Sequence, residues 1–165
     1  MTRIGLLSDT HSYLDKRVFE YFKDVDEIWH AGDIGAYEVL RKLREYKPTR
    51  AVYGNMDGGD VRYSLSEFYR FRVEDVNVLM THIGGYPGHY NPWLLPMFQK
   101  EAPQLFVCGH SHILKVQFDP TWKMLTMNPG AAGLEGWQQV QTLLRFAIDG
   151  DQIKDLEVVE LGKKR

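Results

Sequence analysis

The chain has 165 residues, 44% hydrophobic and 25% charged, which suits one soluble domain (residues 1–165) with enough length for a sizeable core. Its 20 basic and 22 acidic residues leave a net charge of −2, which argues against a large, unselective nucleic-acid footprint. No apolar run approaches the roughly 20 residues that span a bilayer, the N-terminus has too short an apolar stretch for a signal peptide, and the single cysteine, Cys108, excludes an internal disulfide framework. A cytoplasmic location follows as the default.

Residues 3–8 (RIGLLS) predict a buried strand and residues 15–22 have helical spacing. A strand over 27–30, a helix over 37–44 and a strand over 50–53 continue the alternation, which implies parallel βαβ units. Residues 68–73 and 76–80 predict a strand pair, 93–100 a helix and 105–108 a strand. The segments 116–118, 124–127, 142–148 and 153–160 read as β, with Asp149-Gly150 as a hairpin signal between the last two. An α/β first half and a β-rich second half predict an α/β fold of two packed mixed β-sheets, a β-sandwich flanked by helices. No repeat, low-complexity tract or linker interrupts it, and only the tail at 162–165 reads as prone to fray.

The polar residues at the strand ends carry the functional signal. Strand 105–108 runs into Gly109-His110-Ser111-His112. If the chain stays extended there, both imidazoles share a face; the alternative is a polar pair in an exposed turn. The first strand ends in Asp9 and His11, the second in His30 and Asp33, the third in Asn55 and Asp57, and the strand at 76–80 in His82. Singly, each has an ordinary explanation. Asp9 or Asp33 caps a helix, His82 is a satisfied buried histidine, and Asn55 adopts a left-handed turn. None of these explains why five strands present Asp, Asn or His at the same relative position, the carboxyl edge where α/β sheets assemble sites. Four histidines, two aspartates and one asparagine are too many ligands for one ion and suit two, with Asp33 as the natural bridge. Imidazole mixed with hard oxygen favours Mn, Fe, Zn, Co or Ni over Mg or Ca.

The order D-x-H (Asp9, His11), G-D (Gly32-Asp33), G-N (Gly54-Asn55), H (His82), G-H-x-H (Gly109 to His112) resembles the calcineurin-like metallophosphoesterases. It is most similar to their small single-domain phosphodiesterases from bacteria and archaea, as is the later Asn128-Pro129-Gly130. The resemblance covers nearly the whole chain. It implies a metallophosphoesterase-like sandwich with two divalent transition-metal ions at one edge, manganese first among them. Asp9, His11 and His112 would hold one ion, Asn55, His82 and His110 the other, and Asp33 would bridge. His110 and His112 would then serve one metal each, their spacing matching ions about 3.5–4 Å apart. A metal-bridging hydroxide would attack a phosphodiester in line, with Asp33, Asn55, His82 and His110 as the catalytic set. Two carboxylates, two divalent ions and one hydroxide leave the site about +1, which draws in an anionic phosphate ester.

The pattern departs at Met56. Many relatives carry histidine after the asparagine, thought to protonate the leaving group; a thioether cannot, and such acid catalysis is typically worth about 10²–10⁴-fold. His89 is the candidate replacement, although a surface loop histidine is the commoner reading. His30 and Asp57 are expected to support the ligands from behind, Cys108 to pack beneath the site, and Arg62 is a further candidate for phosphate contact. Gly84, Gly85 and Gly88 mark a flexible loop. Tyr86, Tyr90 and Trp93 would stack a base or aryl group, or equally form a homo-oligomer interface. The expected partner is a small phosphodiester, with no membrane. The alternatives are a non-catalytic, metal-stabilised scaffold like the eukaryotic retromer subunit of this fold, and a nuclease.

Overall fold

Alternation along the strands decides the layering. In β1 (Thr2–Leu7), Ile4 and Leu6 join one buried apolar cluster and Leu7 another, because side chains two apart share a face. The computed structural model describes residues 1–163. After β1 come α1 (Arg17–Tyr21), β2 (Glu27–His30), α2 (Tyr37–Tyr46), β3 (Thr49–Ala51) and α3 (Gly59–Ser64). Then follow β4 (Phe68–Val73), β5 (Val76–Thr81), α4 (Leu95–Lys100) behind a short 3₁₀ turn, β6 (Leu105–Val107), β7 (Leu114–Asp119), β8 (Met124–Pro129), β9 (Val140–Asp149) and β10 (Gln152–Lys163).

Two five-stranded mixed sheets result, ordered β10-β9-β1-β2-β3 and β4-β5-β6-β8-β7. Strands β1, β2 and β3 are parallel, as are β5, β6 and β8; β9 runs antiparallel between β1 and β10, and β4 and β7 flank the second sheet as antiparallel edges. The inner faces meet in a core that includes Ile4, Leu6, Trp29, Val78, Met80, Val107 and Phe146. Leu7, Ile28 and Leu143 face the other way and pack with Val18 of α1 and Val39, Leu40 and Leu43 of α2. Leu79 and Phe106 pack with Phe98 of α4. The expected sandwich with outer helices is therefore present. Each fully buried Leu, Ile or Phe stabilises it by about 1.5–3 kcal/mol.

Several boundaries differ from those expected. The helix predicted over 15–22 is only Arg17–Tyr21, because Asp15 accepts the Arg17 N–H at 2.9 Å and fixes the turn before it. Helix α3 was not predicted; it is short and buries Val61 alone, too little for a periodic signal. The β9–β10 turn centres on Gly150-Asp151, since Asp149 already pairs with Gln152. Gly150 takes φ 62°, which glycine adopts without strain. The loose tail is corrected for Gly162 and Lys163, which pair with Gln141 and Val140; residues 164 and 165 lie outside the described residues. Among the described residues no helix is long and apolar enough to cross a membrane.

Candidate metal centre

The parallel strands end at one edge, and the backbone goes on pairing beyond them. Asp9 N–H bonds the Gly32 carbonyl and His11 N–H the Asp33 carbonyl, both at 3.0 Å, which binds the segment after β1 to the segment after β2. Gly109 N–H bonds the His82 carbonyl at 3.0 Å and joins the ends of β5 and β6. The glycines before the acids and histidines have a steric cause. A Cβ on Gly54 would sit 2.2 Å from Asp33 Oδ1, and one on Gly109 would sit 2.1 Å from Ser8 Oγ.

Five of the seven candidate ligands adopt the left-handed region: Asp9 (φ 55°), His11 (45°), Asp33 (53°), His110 (70°) and His112 (62°). Such backbone costs a non-glycine residue about 1–2 kcal/mol, and it is concentrated at this edge. It also corrects the idea that His110 and His112 share one face of an extended chain. Ser111 N–H bonds the Gly109 carbonyl at 2.8 Å, a three-residue turn around His110. Asn128 fixes this turn, donating to the Gly109 carbonyl at 2.9 Å and to Ser111 Oγ at 3.0 Å. The two rings therefore diverge into separate groups.

One group comprises Asp9, His11 and His112, the other Asp33, His82 and His110; within each, the donor atoms lie within 4.8 Å of one another. Asn55 Oδ1 joins the second at 3.1 Å from His110 Nδ1. Each carboxylate has one oxygen tied down and one aimed inward. Asp9 Oδ2 accepts from the Ser8 hydroxyl (2.6 Å) and His110 N–H (3.1 Å), which leaves Oδ1 facing His112 Nε2 at 3.1 Å and His11 and His82 Nε2 at 3.7 Å. Asp33 Oδ1 accepts Met56 N–H at 2.8 Å, which leaves Oδ2 facing His82 Nε2 at 3.1 Å and, across the groups, His11 Nε2 at 3.8 Å.

The outer contacts select the tautomers. His82 Nδ1 lies 2.7 Å from the Ala31 carbonyl, an acceptor, so it carries the proton and Nε2 keeps its lone pair. His112 Nδ1 lies 2.8 Å from Gln138 Oε1, whose own amide donates to the Glu135 carbonyl, so the same holds there. Asp9 Oδ1, His11 Nε2 and His82 Nε2 are three of the four buried side-chain polar atoms that lack a hydrogen-bond partner among the described residues. Converging lone pairs without donors suit a cation. Donor atoms about 2.1 Å from a shared ion lie about 3.0 Å apart at a right angle and about 3.4 Å at a tetrahedral one, so the separations here fit divalent ions.

Electrostatics agree. Burial opposes ionisation of Asp9, but His11, His112, His82 and the Ser8 hydroxyl outweigh it and hold the carboxyl well below its usual range. Burial likewise opposes ionisation of Asp33, and His82 and Met56 N–H overcome it. Asp9 in turn raises His11 and His112. Burial lowers His82, but Asp33 and Asp9 raise it further. His110 is lowered by burial and by the neighbouring His82. The edge thus attracts positive charge, and an incoming metal ion displaces protons.

The remaining candidates fall around this edge. His30 is fully buried; its Nδ1 accepts Gly32 N–H at 3.1 Å, so Nε2–H faces Thr10 Oγ1 at 3.0 Å, and burial pushes its pKa down to about 4. Its hydrogen bonds support the backbone before Asp33. Asp57 likewise holds backbone, accepting from Ile34 (3.1 Å), Gly35 (2.9 Å) and Gly54 (2.8 Å). Arg62 stacks on Tyr53 and donates to the Asp57 carbonyl. Cys108 is buried beneath the Gly84-Gly85 segment, its thiol pushed up to about 12 by burial. Met56 is 70% exposed. Beside the second group lies a cavity of about 460 Å³ lined by Tyr86, His89, Tyr90, His110 and Ser111 among others. Trp93 is exposed and not part of its lining. Gln138 was missed from sequence; a lone glutamine 26 residues from its histidine gives no signal.

Comparison with known proteins adds four findings. A sequence profile of the calcineurin-like phosphoesterase superfamily domain matches residues 2–151. A probable metallophosphoesterase of Methanothermobacter thermautotrophicus is 29% identical over 167 residues, covering 96% of this chain and 92% of that one. Among solved structures, Vps29 of Chaetomium thermophilum matches with a TM-score of 0.77 at 15% identity over 100% of both chains. A novel archaeal phosphodiesterase matches with 0.73 at 22% identity, covering 95% of this chain and 99% of that one. At these identities the structural likeness shows the fold.

Proposed function

The chain belongs to the calcineurin-like phosphoesterase superfamily, and from that premise we propose that it is a phosphodiesterase working with two divalent transition-metal ions, manganese foremost. The observation that carries the reading is the pair of donor groups, Asp9/His11/His112 and Asp33/His82/His110, with Asp33 Oδ2 facing histidines of both. Asp33 would bridge, and Asn55 would complete the second set. When bound, the ions supply Lewis acidity toward phosphoryl oxygens and make water nucleophilic near neutral pH.

The chain's own residues do the rest. Ser8, the His110 N–H and the Met56 N–H fix the two carboxylates, so their free oxygens need no reorganisation during reaction. Ala31 and Gln138 hold the His82 and His112 rings in the tautomer that presents Nε2. No acidic side chain lines the neighbouring cavity, which suits an anionic ester, and the half-exposed Tyr86 ring offers a stacking face for an aryl or base group. The substrate would be a small phosphodiester, met in the cytoplasm.

A second reading is a metal-stabilised protein-binding module without catalysis. The likeness to Vps29 and the methionine at position 56 favour it. Turnover of bis(4-nitrophenyl) phosphate by protein reloaded with Mn²⁺, lost in Asp33→Asn, supports the enzyme. Metal binding without turnover supports the module.

A further inference from the structure

We infer that His89 donates the proton to the departing oxygen of the ester, from the cavity beside His110; this rests on the phosphodiesterase reading above. The cavity touches the second donor group, since His110 lines it and also contacts Asn55. An ester held at the two groups can therefore extend its leaving group into it.

The other proton donors of the cavity are engaged or unsuited. The Tyr90 hydroxyl donates to Asp119 Oδ2 at 2.6 Å, and burial together with that carboxylate pushes its pKa up, out of reach. Ser111 Oγ accepts from Asn128 at 3.0 Å and from Ile113 N–H at 3.1 Å, and an alcohol is too weak an acid. The amides of Asn91 and Asn128 are taken up by carbonyls and are no acids in any case. Tyr86 offers a phenol, a weaker acid than an imidazolium. His89 is left, and imidazole is the side chain best matched to proton transfer near neutral pH.

His89 is also held in place. Tyr86-Pro87-Gly88-His89 is a turn closed by His89 N–H to the Tyr86 carbonyl at 2.7 Å. Proline at its second position and Gly88 with φ 85° at its third give type II geometry. Asn91 closes the loop at its base, bonding the Gly84 carbonyl at 2.9 Å and the Ile83 carbonyl at 3.2 Å. The His89 ring packs on Tyr86 with centroids 4.7 Å apart, and Lys115 Nζ lies 4.0 Å from the Tyr86 ring. Tyr86, Tyr90 and His110 line the cavity with His89, and no carboxylate is among that lining to trap the imidazole as an ion pair. In the step, water oxygen bonds to phosphorus while one water proton passes to solvent, and the bond to the leaving oxygen breaks. The His89 ring proton ends on that oxygen, the alcohol departs, and the imidazole is reprotonated from solvent.

The test uses the Mn²⁺-loaded protein with aryl methyl phosphodiesters carrying nitrophenyl, chlorophenyl and phenyl leaving groups, in wild type, His89→Gln and His89→Ala. The loss of kcat should grow with leaving-group pKa. It should reach about 10²-fold or more for phenyl and stay below about tenfold for nitrophenyl, with Mn²⁺ affinity unchanged and no rescue by glutamine. Met56→His placed in the His89→Ala protein should restore part of the phenyl rate. A uniform loss across the series, or none, overturns the inference while wild-type turnover keeps the phosphodiesterase reading intact. A wild type that turns over none of these esters overturns both.

Discussion

Asp57 offers a direct test of how the edge is built. Its carboxylate is buried, is 4% exposed, and accepts three backbone N–H groups, Ile34, Gly35 and Gly54. It therefore ties the segment that carries Asp33 to the one that carries Asn55. Asp57→Ala removes all three bonds at once. Hydrogen bonds to a charged acceptor are worth about 1.5–3 kcal/mol each, and a stranded buried donor costs about 1–3 kcal/mol. Gly35 is partly exposed and Gly58 is open to solvent, so water can enter the vacated space and recover part of this. A loss of about 3–4 kcal/mol is expected. Asp57→Asn keeps one oxygen and confronts the remaining N–H with an NH₂, so it should lose about 1.5–2 kcal/mol. Urea denaturation of both variants, run with a chelator so that metal linkage does not mask the difference, measures these values. The Ala variant should also bind Mn²⁺ about 10–100-fold more weakly, as when an outer support is lost. A stability loss under about 1 kcal/mol for Asp57→Ala, or an Asn variant worse than Ala, would refute the reasoning.

Asp33→Asn and Asn55→Ala should each lower turnover by at least about 10²-fold while the protein stays folded by circular dichroism; hydrolysis persisting in both would point to another site or a contaminant. Met56→His should speed alkyl and phenyl esters, more in the His89→Ala protein than in wild type, and barely change nitrophenyl ones. The fold tolerates it because the side chain is 70% exposed and only the backbone N–H contacts Asp33. An unchanged leaving-group slope would strip the methionine of catalytic meaning. His30 sets a pH dependence of metal-free stability. Its folded pKa of about 4 lies below the ordinary imidazole value of 6.5, so between those pH values the unfolded chain binds the extra proton and folding weakens as pH falls. The full effect approaches about 3 kcal/mol at 1.36 kcal/mol per pH unit, and His30→Gln should flatten it in denaturation curves at pH 7, 6 and 5; an identical slope in the variant would show that another group titrates.

The sequence made the sheets legible because both faces are covered, so apolar alternation such as Ile4-Leu6 against Leu7 leaves few other foldings. The candidate ligands were legible for a chemical reason: few structural needs place Asp, Asn and His at the ends of five strands, each beside glycine or a turn. Backbone conformation was not. Period-two reasoning assumes extension, and His110 instead turns the chain at φ 70°, a conformation with no residue-type signature in histidine. Gln138 was invisible because its role depends on a loop folding back over His112. The role of His30 was only half visible, since its position suggested support of the ligands but not which backbone group it would hold. Helix α3 offered only Val61 as a buried residue in a glycine-led segment.

The most direct measurement is the metal content of the purified chain taken together with hydrolysis of bis(4-nitrophenyl) phosphate before and after chelation. Two divalent ions per chain are expected, with loss of turnover when they are removed and recovery with Mn²⁺ that exceeds recovery with Mg²⁺. Full turnover by exhaustively chelated protein would contradict this.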